Sequence, residues 1–441
     1  MPDFCFSNSI NKKVEFLLAI FFSSQQIAFC DISFNGTSRK GNLIPSVDAN
    51  QIVTDLGGSI WFTNPRAVYY SGTNQRTYFG GVDGQTGDVY IFQYDHSTKG
   101  TTRFKLHAAL QQDDHVVPSI YIRPNDQKII AFYSTHGADQ LFRYRISTNA
   151  EDISSWGSEV TIAVGENNTY TNPTYLSAEG KLYLFYRGYS TEAKGWSFIT
   201  STDNGDSWSS PTVLFFDLDG KQYLSLVGNG VDTIWFTAST HPNDASNQNS
   251  QYEFYYANGN FYKSDGTLIE AVADLPLVKS QMTLMYDASA VGNNNSWVHD
   301  MALIGGKPVV AFASYPSVNN HRYHYARWNG SSWIINTLVD DAGGYLFVSE
   351  EYYSGGMSID KSNPNIVYLS KVVSGQWEMF KYETSDLGAT WTITTITSDS
   401  LVKQFRPDVP LNHPSNFTVY WLFGAYTSFV NYTLGYLYTN I

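Results

Sequence analysis

STDNGDSW at residues 201–208 and TSDLGATW at 384–391 share one pattern, Ser/Thr-x-Asp-x-Gly-x-Ser/Thr-Trp. Its logic is local: the aspartate caps a tight hairpin turn, the glycine takes positive φ, and the tryptophan packs beneath the turn. Looser versions stand at WNGSSW (328–333) and KSDGTL (263–268). Such turns hold structure and supply no chemistry. Their recurrence marks a repeated β architecture.

Outward from these turns, the chain reads as short strands such as TYFGGV, DVYIFQY, KIIAFYS, KLYLFYRG, TIWFTAS, PVVAFASY and IVYLSKV, each followed by a polar turn. Aromatic residues make up 16% of the sequence and its 34 glycines are scattered, the composition of an all-β chain with frequent turns. No Pro/Ser-rich linker and no charge run divides it. The spacing predicts one all-β domain over 31–441, a β-propeller in preference to a sandwich. About 400 residues at roughly 50–60 per large blade give seven four-stranded blades.

Residues 1–30 differ. Lys12 and Lys13 precede the apolar run VEFLLAIFF, and Ala28 and Cys30 supply small residues before Asp31, the layout of a secretory signal segment. The run is too short for a membrane span, and IAFC at 27–30 matches a lipid-attachment motif only loosely. The expected location is extracellular or periplasmic, without a lipid anchor. Cys5 and Cys30 are the two cysteines of the chain, so the domain itself is expected to have neither a disulfide scaffold nor a thiolate metal site. A formal net charge of −13 argues against nucleic-acid binding. A polyanionic ligand would need a local cationic pocket, and the expected state is a monomer.

Within QQDDHVVPSIYIRPNDQKIIAFYSTHG, His115 and His136 each stand at the end of a strand-like run. In a repeated sheet two such ends converge on one surface. A rigidly held imidazole pair serves either acid/base chemistry or metal binding, with Asp113 or Asp114 as an added carboxylate ligand. The chain lacks the short His-x-x-x-His and Cys-rich spacings of zinc sites. We expect no catalytic metal, and leave room for a structural calcium or zinc.

The two pattern copies, which are Asp boxes, stand in order with DDHVVPSIYI, AFYSTHG, YTNPTYL, LFYRG, QYLSLVGNGVDTIWFTASTHP and HRYHYARWNGSSW. Together these resemble the BNR-repeat proteins that include polysaccharide lyases acting on ulvan, over most of the chain beyond residue 50. The resemblance implies a seven-bladed propeller that cleaves the bond between sulfated rhamnose and a uronic acid by β-elimination, leaving an unsaturated uronate. No cofactor is implied, and the partner is the anionic polysaccharide. The reaction needs a base for the C5 proton, an acid for the departing C4 oxygen, and a cation or strong donor on the carboxylate.

By the same resemblance His115, His136, Tyr170 in NNTYTNP and Arg187 in LFYRG are the catalytic set. Tyr170 and His115 are expected to move protons, Arg187 to neutralise the carboxylate, and His136 to orient or share the proton transfer. Tyr223 and His241 join Arg187 as substrate-binding candidates. His321, Arg322, Tyr323 and His324 are read as structural before they are read as sugar-binding, and His299, beside Asp300, as closing a turn. Arg143 and Arg145 alternate with Tyr144, which puts both on one face, the outer solvated one. An exo-acting propeller releasing rhamnose from rhamnose–glucuronate ends, and a non-catalytic carbohydrate-binding propeller, are the alternatives. A sialidase does not fit, since PRAVYY (65–70) is a poor match to its early arginine motif and no arginine triad is evident.

Overall fold

The structure is a computed structural model that describes residues 33–34, 37–38, 52–189, 194–217, 220–243, 249–290 and 292–439. The expected signal segment, Cys5 and Cys30 lie outside the described residues. The chain divides into two units, Met1–Gly41 and Asn42–Ile441. Of the first, a short antiparallel pair, Ser33–Phe34 with Thr37–Ser38, is described.

The second unit is a seven-bladed β-propeller, as the sequence leads one to expect. Blade I comprises Ala67–Ser71, Gln75–Val82, Val89–Asp95 and Gly100–His107; blade II comprises Ser119–Ile122, Ile129–Ser134, Leu141–Ile146 and Val160–Ala163. Blade III runs through Asn167–Leu176, Lys181–Tyr189, Lys194–Ser201 and Thr212–Asp217. Blade V is formed by Ser296–Ile304, Lys307–Ser317, Asn320–Trp328 and Trp333–Val339, and blade VI by Met357–Ile359, Ile366–Val373, Gln376–Glu383 and Thr392–Thr395.

Blades IV and VII depart from the simple meander. In blade IV, Gln222–Gly228, Thr233–Thr240 and Gln251–Ala257 are followed by two partial partners: Asn260–Tyr262 pairs with one end of the third strand and Thr283–Tyr286 with the other. With Leu268–Ala271 this makes six strands instead of the expected four. Blade VII joins Lys403–Asp408, Val419–Ser428 and Asn431–Thr439 to Ile52–Gly57, whose Ile52 pairs with Leu437. The early strand thus closes the ring as the outer strand of the last blade, hiding an edge that would otherwise invite association.

Blades pack face to face, so central strands are covered on both sides. Ile129–Ser134 is buried at every position, whereas the outermost Thr392–Thr395 is exposed throughout. This is why the inner strands read as continuous apolar runs and not as strict alternations.

The two patterned turns behave as the residues predict. Asp203 accepts hydrogen bonds from the Ser201 hydroxyl (2.7 Å) and the Ser207 amide (2.8 Å), and the Gly205 amide donates to Ser201 Oγ. Asp386 does the same with Thr384 and Thr390. These donors hold both carboxyls down at about 2. Each turn joins the third and fourth strands of its blade, and its tryptophan reaches the preceding blade: Trp208 lies edge-on to Phe132 of blade II and Trp391 to Tyr325 of blade V. The looser turns interlock, since Trp333 Nε1 donates to Ser264 Oγ at 3.2 Å.

Gly388 has φ +95°, and a Cβ there would stand 2.7 Å from Tyr325 Cδ1. Gly388→Val should therefore destabilise the protein by about 1–3 kcal/mol, from positive φ and overpacking together. Urea unfolding measures this, and an unchanged midpoint would contradict the account.

Candidate active site

Asp113 organises the site. It precedes a single 3-10 turn, Asp114–Val116, in the connection from blade I to blade II, and its Oδ1 accepts the His115 amide at 2.9 Å. The same oxygen lies 2.6 Å from His115 Nδ1, and Oδ2 lies 2.8 Å from His136 Nδ1. An ionised carboxylate only accepts, so each Nδ1 carries a proton. His136 follows the second strand of blade II, where the Gln111 side chain accepts its amide at 2.8 Å. The two rings stack with centroids 3.9 Å apart and planes within 6°, and Phe429 stands edge-on to both.

The pair is asymmetric. The His115 side chain is 2% exposed and that of His136 22%. His115 Nε2 lies 3.1 Å from Tyr353 Oη, while no hydrogen bond to His136 Nε2 is present among the described residues. Burial alone would discharge His115, but the Asp113 and Asp114 carboxylates outweigh it and raise its pKa to about 9. His136 is lowered to about 4 by burial, then by repulsion from His115, against the pull of Asp113. Asp113 itself is held well below the usual carboxylate range, its burial outweighed by the two imidazoles. At neutral pH the group is therefore an imidazolium, a carboxylate and a neutral imidazole with its Nε2 lone pair available.

Behind His115 lies a second pair of buried charges. Asp114 Oδ1 is 2.9 Å from His115 Nδ1, and Oδ2 accepts from Arg406 Nη1 (2.5 Å) and Tyr426 Oη (2.7 Å). Arg406 also donates to the Ser59 carbonyl and stands over the Tyr426 and Trp61 rings. Two carboxylates, one guanidinium and one imidazolium sum to zero, the condition for burying four charges.

Tyr170 sits at a β-bulge between Thr169 and Asn172 with φ +63°, and its ring is 5.7 Å from that of His115. Arg187, on the neighbouring strand and 1% exposed, lies between two tyrosines, with Cζ 4.7 Å from the Tyr170 ring centroid and 4.5 Å from that of Tyr223. Tyr223 continues to His241 (5.5 Å) and Trp297 (4.9 Å). His241 Nδ1 accepts the Asn243 amide at 3.1 Å, which puts its proton on Nε2, 3.6 Å from Glu350. Burial, then Lys221 and Arg187, lower its pKa to about 3. The six expected residues thus form a continuous run, His136–His115–Tyr170–Arg187–Tyr223–His241, across blades II to IV.

Bulges recur on the inner strands. Register shifts fall at Tyr170 in blade III, between Val298 and Asp300 in blade V, and between Phe405 and Pro407 in blade VII. His299 therefore closes no turn: it is the bulged residue of a strand, buried and stacked on Trp61 at 4.6 Å. His321 bonds Ser354 and the Glu351 carbonyl, and His324 bonds Ser314, which fits the structural reading of that cluster. Arg143 and Arg145 are not a free solvated face. Arg143 pairs with Asp139, and Arg145 donates to the Leu106 and Gly157 carbonyls.

Asp113, His115 and His136 bring three ligand atoms within 4.8 Å of one another. Both Nδ1 atoms are already directed at Asp113, an arrangement complete as a hydrogen-bonded group. Sequence reasoning considered Asp113 only as a metal ligand; its bridging of the two rings, and the parts of Tyr353, Arg406 and Tyr426, carried no local signal. No helix among the described residues is long and apolar enough to cross a membrane.

Comparison with known proteins agrees with this architecture. An ulvan lyase from Alteromonas sp. (strain LOR) is 22% identical over 335 residues, a match that takes in 65% of this chain and 66% of that protein. The crystal structure of the polysaccharide lyase Uly1 superposes with a TM-score of 0.56 at 11% identity, covering 89% of this chain and 98% of the other, and shares the fold. The model of the BNR repeat-containing family matches residues 69–341, more than half of the sequence, and the chain belongs to that family.

Proposed function

We propose that the protein is a polysaccharide lyase that cleaves a sulfated, uronate-containing polysaccharide, ulvan in the first instance, by β-elimination. The observation that carries this reading is the Asp113-bridged imidazole pair beside Arg187 and two tyrosines: proton-handling groups next to a buried cation. The similarity to an ulvan lyase supports the substrate class.

In the proposed reaction Arg187 faces the uronate carboxylate and stabilises the charge that spreads into it as the C5–H bond breaks. A base takes the C5 proton, the electron pair forms the C4–C5 double bond, and the C4–O bond breaks toward the leaving sugar, whose oxygen takes a proton from an acid. We assign the base to His136, on the strength of its exposure and its Nε2 lone pair, and the proton for the leaving oxygen to Tyr170, whose bulge turns it toward the pair. His115, expected from the sequence to move protons directly, would act in this scheme as the imidazolium that sets the charge of its neighbour. Tyr223 and His241 would contact the adjoining sugar.

Incubation of the full chain with ulvan and with other uronate polymers, followed by the ultraviolet absorbance of the unsaturated product, tests the reading. Growth of that absorbance on ulvan is expected. A folded protein that produces none on any uronate polymer would sink it.

A further inference from the structure

Blade IV turns an unusually polar face toward blade V. Strand register sets Ser225 opposite Thr237 and Thr237 opposite Glu253. Residues two apart on a strand share a face, so Ser239 and Gln251 belong to the same patch. The other face carries Phe236, which packs on Phe185 of blade III at 5.2 Å. The polar face accordingly looks to blade V, where Gln251 Nε2 donates to Ser296 Oγ at 2.9 Å.

All five residues are buried: Ser225 is 4% exposed and the others 0%. Ser225 Oγ, Thr237 Oγ1, Ser239 Oγ, Gln251 Oε1 and Glu253 Oε1 have no hydrogen-bond partner among the described residues. Buried polar atoms in native proteins are nearly always matched, and five orphaned oxygens on one patch call for an occupant. Glu253 shows what kind. Trp333 Nε1 donates to Ser264 Oγ, so the single Ser264 hydroxyl proton is free to go to Glu253 Oε2. That direction of bonding treats Glu253 as an acceptor and leaves Oε1 without a hydrogen-bond partner among the described residues. Burial pushes the carboxyl well above its usual range, with Ser264 opposing, which reports the cost of a charge with no counter-ion.

The donor set contains neither nitrogen nor sulfur, which selects a hard cation. It also contains one carboxylate. A single positive charge would cancel it, whereas a divalent ion would leave a net charge in a buried interface. We propose that the Ser225–Thr237–Glu253 patch between blades IV and V binds a desolvated monovalent cation, sodium or potassium, with Glu253 Oε1 as the charged ligand and the two hydroxyls beside it. Gln251 and Ser239 supply further oxygens. The patch continues the face headed by Tyr223, which pairs with Ser239, so the ion would brace the strands that carry a candidate active-site residue.

Thermal unfolding of the full chain in sodium, potassium or choline chloride at equal ionic strength tests this, because choline screens the acidic surface equally but is too large to enter. The wild-type melting temperature should rise saturably by about 2–5 °C in sodium or potassium over choline. Glu253→Gln should abolish the difference, and Thr237→Val should raise the cation concentration needed by about tenfold. If Glu253→Gln does not fold, Thr237→Val carries the comparison. Equal melting of the wild type in all three salts, or the same gain in Glu253→Gln or an unshifted midpoint in Thr237→Val, would overturn the proposal and leave a protonated Glu253 among waters.

Discussion

His136→Ala should lower turnover on a uronate polysaccharide by about two to four orders of magnitude, the usual loss for a general acid or base, with the propeller intact. The reason lies in the charge states set by Asp113. His115, doubly hydrogen-bonded and held at about 9, keeps both ring protons at neutral pH; His136, lowered to about 4, keeps only the one it donates to Asp113. In the proposed scheme the reacting form has His136 neutral as the base and His115 charged, its cation adding to that of Arg187 in stabilising the charge that spreads into the uronate carboxylate. In the wild type, kcat/KM should rise as pH climbs through about 4, stay level across neutral pH, and fall through about 9. These limbs belong to the coupled pair and not to either ring alone. Steady-state kinetics over this range, with circular dichroism to verify folding, decides the matter: near-normal turnover by the alanine variant removes His136 from the mechanism.

The second large effect concerns stability. Asp113→Ala should cost about 3–5 kcal/mol at weakly acidic to neutral pH, because it leaves a buried imidazolium beside no bridging carboxylate. The pH dependence gives the sign. The raised pKa of His115 contributes stability that is fully present below the unfolded histidine value and is lost as pH rises through about 9. The depressed pKa of Asp113 contributes stability present above the unfolded carboxylate value and lost as pH falls well below it. The difference between wild type and variant should thus be widest between these limits and shrink on the alkaline side of His115. Denaturant titrations in the plateau and above it provide the measurement. A loss of equal size at both would mean that Asp113 acts through packing and not through charge.

The legible parts of the molecule are those whose causes are short-range. Asp203 and Asp386 find their donors within four residues, so their turns can be read directly from eight letters of sequence. Blade number followed from length, and the two histidines from strand ends on either side of one hairpin. Reading His299 as a turn residue failed because WVHDMAL carries no sign of a bulge; the extra residue appears only once the strand is paired with its neighbour. Alternation assigns Arg143 and Arg145 to solvent, yet they stand on the third strand of blade II, paired on both sides, where Asp139 takes up Arg143 and the carbonyls of Leu106, from the last strand of blade I, and Gly157 take up Arg145.

By itself, then, the sequence determined a ring of seven aromatic-rich blades, the turns that staple them, and which six side chains gather on blades II to IV. Tertiary structure decided how those side chains differ. Tyr353 reaches His115 across 238 residues of chain and Arg406 reaches Asp114 across 292. Only ring closure brings such positions together, and a pKa depends on every charge within a few ångströms, however distant in sequence. That is why two histidines that look alike in the sequence become one fixed cation and one neutral imidazole.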